Sequence, residues 1–154
     1  MALTTLGNTA FSTSAVVSAT IKDSAVVYNK LDANTAHTDR NQSFSVGQRG
    51  TISALGVQTS TVTLDMNTAN YFSLTANGNI TIANPSNLTA GQAGAIIVTA
   101  NGNYTTSFGS QWRFAGGTAP TLSTSAGKVD RLDYVVQSSN TIHTVATIDL
   151  LGTA

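Results

Sequence analysis

Two histidines and seven aspartates are the side chains best suited to acid–base or metal chemistry near neutral pH, because the sequence has no glutamate and no cysteine. His37 and His143 are far apart in the sequence, and neither belongs to a His-Glu-x-x-His motif. We expect each to be a surface or strand residue rather than a general base or a metal ligand. The absence of cysteine removes disulfides, thiolate zinc sites and cysteine nucleophiles.

The aspartates form no recognisable catalytic or metal-binding pattern. Asp130 and Asp133 flank Arg131, but on a strand their side chains point to opposite faces, which favours a salt-bridge or turn role over paired acid–base catalysis. Gly-x-Ser-x-Gly, dinucleotide-binding and Walker motifs are absent, and Gly127-Lys128 lacks the upstream glycine of a phosphate loop. We therefore expect a non-enzymatic protein without a metal or a cofactor.

The composition favours a protein that associates through uncharged surfaces. Threonine contributes 25 of the 154 residues, charged residues contribute only 9%, and the formal net charge is +0. Without a basic field, binding to nucleic acid or to an anionic membrane is not expected. The first residues lack the basic and apolar regions of a signal peptide, and no apolar stretch approaches the ~20 residues of a membrane helix, so we expect a soluble chain made in a cytoplasm.

The sequence after residue 50 alternates with the period of half-buried strands. Apolar side chains occupy every second position over 60–66, 72–76 and 80–82, with further strands expected over 95–100, 104–108, 132–136 and 142–150. No segment has a convincing helical period. This pattern predicts an all-β fold, either a β-sandwich or a jelly-roll-like barrel.

Two Asn-Gly pairs predict β-hairpins. Asn77-Gly78 and Asn101-Gly102 each lie between alternating runs, where they suit a type I′ turn. The pentapeptide Thr-Ala-Asn-Gly-Asn is identical at 75–79 and 99–103, which indicates either a duplication or shared turn chemistry. A third hairpin is expected where 138–140 joins the last two strands.

The first 45 residues differ from the rest and are expected to form an extended N-terminal arm. They have scattered small apolar groups and no sustained period, so they bury too little apolar surface to fold alone. We interpret 1–45 as an arm that docks on partner subunits and 46–154 as the core domain, with a short helix over 25–31 as the alternative for part of the arm. The arm residues expected to contact a partner are Phe11, Val16, Val17, Val26, Val27 and Tyr28.

Unprotected strand edges predict an oligomer. Soluble monomers usually protect edge strands with lysine, proline or inward charges, yet the sequence after residue 50 has one lysine, two prolines, two arginines and four aspartates. Trp112 and Phe114 lie in a glycine-flanked segment that reads more as a loop than as a strand. They are either core residues or a candidate subunit interface, where tryptophan is enriched.

The stretch from Val46 to Leu150 resembles a module of tailed-phage virion proteins. The resemblance rests on five segments in a fixed order: Gly47–Gly50, Asn70–Leu74, Ile82–Gly94, Trp112–Ser123 and Val129–Val136. It covers about two thirds of the chain and does not include residues 1–45.

The resemblance implies a place in the virion and a role in binding rather than catalysis. Similar proteins act either as trimeric capsid cement (decoration) proteins or as pieces of tail fibres. Because the chain has its own arm, we expect a homotrimeric decoration protein whose partner is the phage major capsid protein. The alternatives are a tail-fibre or receptor-binding module, and a carbohydrate-binding domain that works alone.

Overall fold

The computed structural model describes residues 47–150, which form an all-β fold, as the sequence predicts. The predicted arm, with Phe11, Val16, Val17, Val26, Val27, Tyr28 and also His37, lies outside the described residues. The strands of the described part are β1 (Ile52–Gln58), β2 (Thr61–Val62), β3 (Tyr71–Ala76), β4 (Ile80–Ile82), β5 (Ala93–Ala100), β6 (Thr106–Phe108), β7 (Trp112–Phe114), β8 (Val129–Ser138) and β9 (Thr141–Thr147). No helix within residues 47–150 is long and apolar enough to cross a membrane.

The first six strands wind as three coils, each made of one strand from a six-stranded sheet and one from a three-stranded sheet. β1, β3 and β5 pair in parallel in the large sheet, and β2, β4 and β6 pair in parallel in the small one. Tyr71 is in register with Ala95, and Ile80 is in register with Thr106, so equivalent positions recur after one coil.

The hairpins predicted at the two Asn-Gly pairs are wrong. The strands on either side of each pair belong to different sheets, and each strand pairs with its equivalent in the next coil. A type I′ turn requires positive φ at both central residues, and neither Asn77 nor Asn101 has it. The two corners stack instead, because the Asn101 side-chain amide donates to Asn77 Oδ1 at 3.2 Å and its backbone N–H donates to the Ala76 carbonyl at 2.9 Å.

The glycine at the first corner is required by close packing. A Cβ on Gly78 would lie 2.7 Å from the Thr59 carbonyl oxygen, in the corner of the preceding coil. The identical pentapeptides are therefore equivalent corners of stacked coils. The all-β class is confirmed, but the β-sandwich or jelly-roll-like barrel is not, because the strands of the three coils pair in parallel.

A cap formed by β8, β9 and β7 extends the large sheet beyond the third coil. β8 is antiparallel to β5, β9 is antiparallel to β8, and β7 lies parallel to β9 at the sheet edge. The predicted hairpin through 138–140 is confirmed. The expectation of a loop at 112–114 is wrong, because β7 pairs with a strand that lies far along the chain, where local sequence carries no signal.

One apolar core lies between the two sheets. The alternation predicted over 60–66, 72–76 and 80–82 is confirmed, because the apolar residues at every second position there are buried: Val62, Leu64, Met66, Phe72, Leu74, Ala76, Ile80 and Ile82. Ile96 and Val98 from β5, Leu132, Tyr134 and Val136 from β8, and also Trp112, Leu122 and Ile142 belong to the same core. Burying a side chain of this size contributes roughly 1.5–3 kcal/mol, so the alternation fixes which face of each strand points inward.

Candidate partner-binding surface

The one histidine of residues 47–150 lies at the protein surface. His143 lies exposed on β9, in register with Arg113 on β7 and Val135 on β8. Within residues 47–150, no group of three or more histidine, cysteine, aspartate or glutamate side chains could hold a metal ion.

Asp130 on β8 is buried, and its carboxylate holds two other parts of the chain, at Ser123 and at Asp149, against this strand. Its carboxylate accepts hydrogen bonds from the backbone N–H of Ser123 at 2.6 Å, the Ser123 hydroxyl at 2.8 Å and the backbone N–H of Asp149 at 2.8 Å. Only 1% of its surface is exposed. Hydrogen bonds thus occupy both carboxylate oxygens, and the arrangement is structural.

The other described aspartates are also held in local contacts. Asp133 points outward and forms an ion pair with Arg131 at 3.0 Å, which agrees with the opposite-face geometry expected for the two carboxylates of β8. Asp65 accepts from the Asn87 side-chain amide at 2.7 Å and from the Asn67 backbone N–H at 3.0 Å, and these bonds lower the pKa of its carboxyl.

The segments that carry the virion resemblance meet in contacts between coils. The Asn70 carbonyl accepts from the Tyr134 hydroxyl at 2.8 Å and from the Ala95 backbone N–H at 3.1 Å. A Cβ on Gly94 would lie 1.7 Å from the same carbonyl oxygen. The Gln92 side-chain amide donates to Asn70 Oδ1 at 2.8 Å. These residues therefore position strands.

One surface of the large sheet points away from the core and carries exposed or half-buried apolar side chains. We call this surface the outer face. Val145 is 67% exposed, Val57 62%, and both Ile52 and Val135 50%. The members of the outer face are Ile52, Val57, Tyr71, Ile97, Val135 and Val145. Exposed apolar side chains that share one sheet face are typical of a protein-binding surface.

The strand register shows how the outer face is arranged. Ile52 lies beside Tyr71, and Tyr71 lies beside Ala95, so apolar side chains continue across the first three strands of the sheet. Asp133 lies beside Val145, but its charge is balanced by Arg131. The face therefore carries no charged side chain over β1, β3 and β5, and its charged side chains lie on β8 and β7.

A shallow groove of about 490 Å³ ends the outer face on the β7 side. Arg113 and His143 line it together with Phe114, Val135 and Val145. In the described part of the chain, Arg113 forms no ion pair. Charged and hydrogen-bonding groups thus stand at one rim of an apolar surface.

The two aromatic residues predicted as a core pair or a subunit interface have different environments. Trp112 is only 4% exposed, and its indole N–H donates to the Ala83 carbonyl at 3.0 Å. The core alternative therefore describes Trp112. Phe114 is half-buried against the core and packs edge-to-face on Phe108, with ring centroids 4.8 Å apart, and a role for it in a subunit interface stays a prediction.

The sequence analysis missed the outer face. A signal was present in β8, where Val135 and Val136 are adjacent and must therefore point to opposite faces. An apolar residue on each face of a strand indicates that both faces can be covered.

Comparison of this chain with protein-family models, with curated proteins and with solved structures finds no match.

Proposed function

We propose that this chain is a non-enzymatic structural protein of a tailed-phage virion, a homotrimeric cement (decoration) protein that binds the lattice of the major capsid protein. The observation that carries the assembly of chains in this proposal is the outer face, which exposes apolar side chains and has no charged residue over β1, β3 and β5. Contact with the capsid is assigned to the arm, residues 1–45. The virion assignment is supported by the sequence resemblance.

Cementing follows from selective binding to the assembled lattice. A ligand that binds the assembled shell but not its separated subunits stabilises the shell by mass action. Three arms on one trimer add avidity without tighter single contacts. Because only 9% of the residues are charged, association through apolar and hydrogen-bonded surfaces should depend weakly on salt.

The proposal is tested by mixing the full chain with undecorated phage heads and measuring co-sedimentation and the temperature at which the heads open. The expected result is saturable binding and heads that open at higher temperature. Replacing Val16 and Val17 with asparagine should weaken binding to heads. Full binding by this variant would reject the arm assignment, and absence of binding by the unchanged chain would reject the cement function.

The groove supports a second candidate, a receptor-binding module of a tail fibre. Arg113, Asp133 and His143 line the groove beside Val135 and Val145, and hydrogen-bonding groups next to apolar ones are the chemistry that binds small ligands such as sugars. A carbohydrate-binding domain working alone would use the same groove. Binding to whole host cells instead of empty heads would favour the tail-fibre candidate, and affinity of an isolated monomer for sugar would favour the lone domain.

A further inference from the structure

We infer that the outer face of the six-stranded sheet is covered by neighbouring copies of this chain in the homotrimer. The inference rests on the proposed function, because it names the partner that binds the outer face. It assigns self-association to this face, so that contact with the capsid is made by other parts of the chain.

The size of the face fits a contact between subunits. The six strands contain 41 residues, which at about 4.8 Å between strands and ~3.3 Å rise per residue give a face of roughly 650 Å² in projection. Stable interfaces bury about 600–1,000 Å² on each partner. The face is therefore large enough to hold two subunits together when most of it is covered.

The distribution of polarity also fits an interface. Exposed apolar side chains extend from Ile52 on β1 to Val145 on β9, whereas Arg113 lies on the edge strand β7. Specific interfaces have an apolar centre from which charged residues are depleted and a polar rim. The one ion pair near the centre, Arg131 with Asp133, is already satisfied within the chain.

Charge favours an identical partner over a charged one. Two copies of a face with net charge repel each other, but here the central arginine and aspartate cancel, and the whole chain has formal net charge +0. A strongly acidic or basic partner would find no complementary field on this face. Neighbouring copies present the same apolar side chains, and Arg113, which forms no ion pair within residues 47–150, lies at the rim of each copy, on the edge strand β7.

The edge strand β1 adds to this argument. In residues 47–150 no strand lies beyond it in the sheet, and its sequence, Ile-Ser-Ala-Leu-Gly-Val-Gln, has no charge and no proline. Its one protective feature is the register shift between Ala54 and Val57, where Gly56 has φ 70°. The apolar face is therefore not interrupted by charge where the sheet ends.

The test compares the full chain with Val135→Lys and Val145→Lys, with Thr61→Lys on the exposed side of the small sheet as the matched control. Multi-angle light scattering over ~1–100 μM protein should give an oligomer for the unchanged chain and for Thr61→Lys. Each valine variant should dissociate at least 100-fold more readily, because an unpaired charge would be buried in the contact. Circular dichroism melts check that every variant is folded.

Retention of the oligomer by both folded valine variants would overturn the inference, as would a monomeric unchanged chain. If a lysine variant does not fold, Val145→Ser in the same assay decides between the two outcomes, since it removes apolar surface without adding charge. Head binding is measured in parallel. An oligomer that depends on the valines but does not bind heads would reject the cement function and leave the self-association inference standing.

Discussion

Replacing Asp130 with alanine should destabilise the protein by about 3 kcal/mol. The carboxylate accepts three hydrogen bonds, and two come from the backbone N–H groups of Ser123 and Asp149, which have no freedom to turn toward another acceptor. A hydrogen bond to a charged group contributes ~1.5–3 kcal/mol. Loss of two such bonds, with some replacement by water at these partly buried sites, gives about 3 kcal/mol.

A competing effect acts in the opposite direction. Asp130 is a buried carboxylate, and its removal also relieves the cost of keeping a charge away from water. Asp130→Asn separates the two effects, because asparagine removes the charge but keeps one acceptor oxygen. If hydrogen bonding dominates, the asparagine variant should lose about half as much stability as the alanine variant.

The assay is urea unfolding of the full chain at pH 7, with the free energy of unfolding extrapolated to water. Asp133→Asn is the control, because it breaks only the exposed ion pair with Arg131 and should cost less than ~1 kcal/mol. The reasoning fails if Asp130→Ala stays within ~0.5 kcal/mol of the unchanged chain, or if Asp130→Asn is more stable than it.

Three further predictions concern packing and pH. In thermal melts, Gly94→Ala should lower the stability of the fold by ~1–3 kcal/mol or more, because the added Cβ would meet the Asn70 carbonyl oxygen. Gly47→Ala is the control and should be nearly neutral, because nothing lies within 4 Å of its added Cβ. Burial raises the pKa of Tyr134 to about 12 from 10.0. The contribution of the neutral hydroxyl to stability should therefore be present below pH 10 and be lost as the pH rises toward 12. In urea titrations at these pH values, Tyr134→Phe should not show this loss of stability. Hydrogen bonds lower the pKa of Asp65 below 3.8, so its contribution should be lost as pH falls through the folded-state pKa; acid titrations in which Asp65→Asn declines as steeply would contradict this.

The sequence predicts the burial pattern of this fold better than its topology. Phe72 and Leu74 alternate with polar residues, and that period alone determines which face of β3 is buried. The hairpin between β8 and β9 is also predictable, because its two strands are joined by a short polar turn. Both features depend on residues close together in the chain.

The parallel coils are not predictable in this way. Asn77-Gly78 has the residues of a tight hairpin turn, but the strand that follows pairs with a segment more than twenty residues away. A parallel pair leaves no local signal, since each strand is hydrogen-bonded to its equivalent in another coil. The sequence did carry one indication of the coils, the pentapeptide that is identical at 75–79 and 99–103. Two hairpin turns would produce the same repeat as two stacked corners, so the repeat alone does not identify the coils.

The candidate surface was harder to predict because its members come from five strands. Ile52 and Val145 become parts of one face only when the strand order is known. The sequence did indicate that uncharged edges favour association, and the structure adds a surface suited to it.

The mass of the full chain in dilute solution tests the central claim most directly. Light scattering on the purified protein, without heads or other partners, should give three times the chain mass of 15.8 kDa. A single species at 15.8 kDa across the whole concentration range would contradict the claim that this chain works as an assembled structural protein.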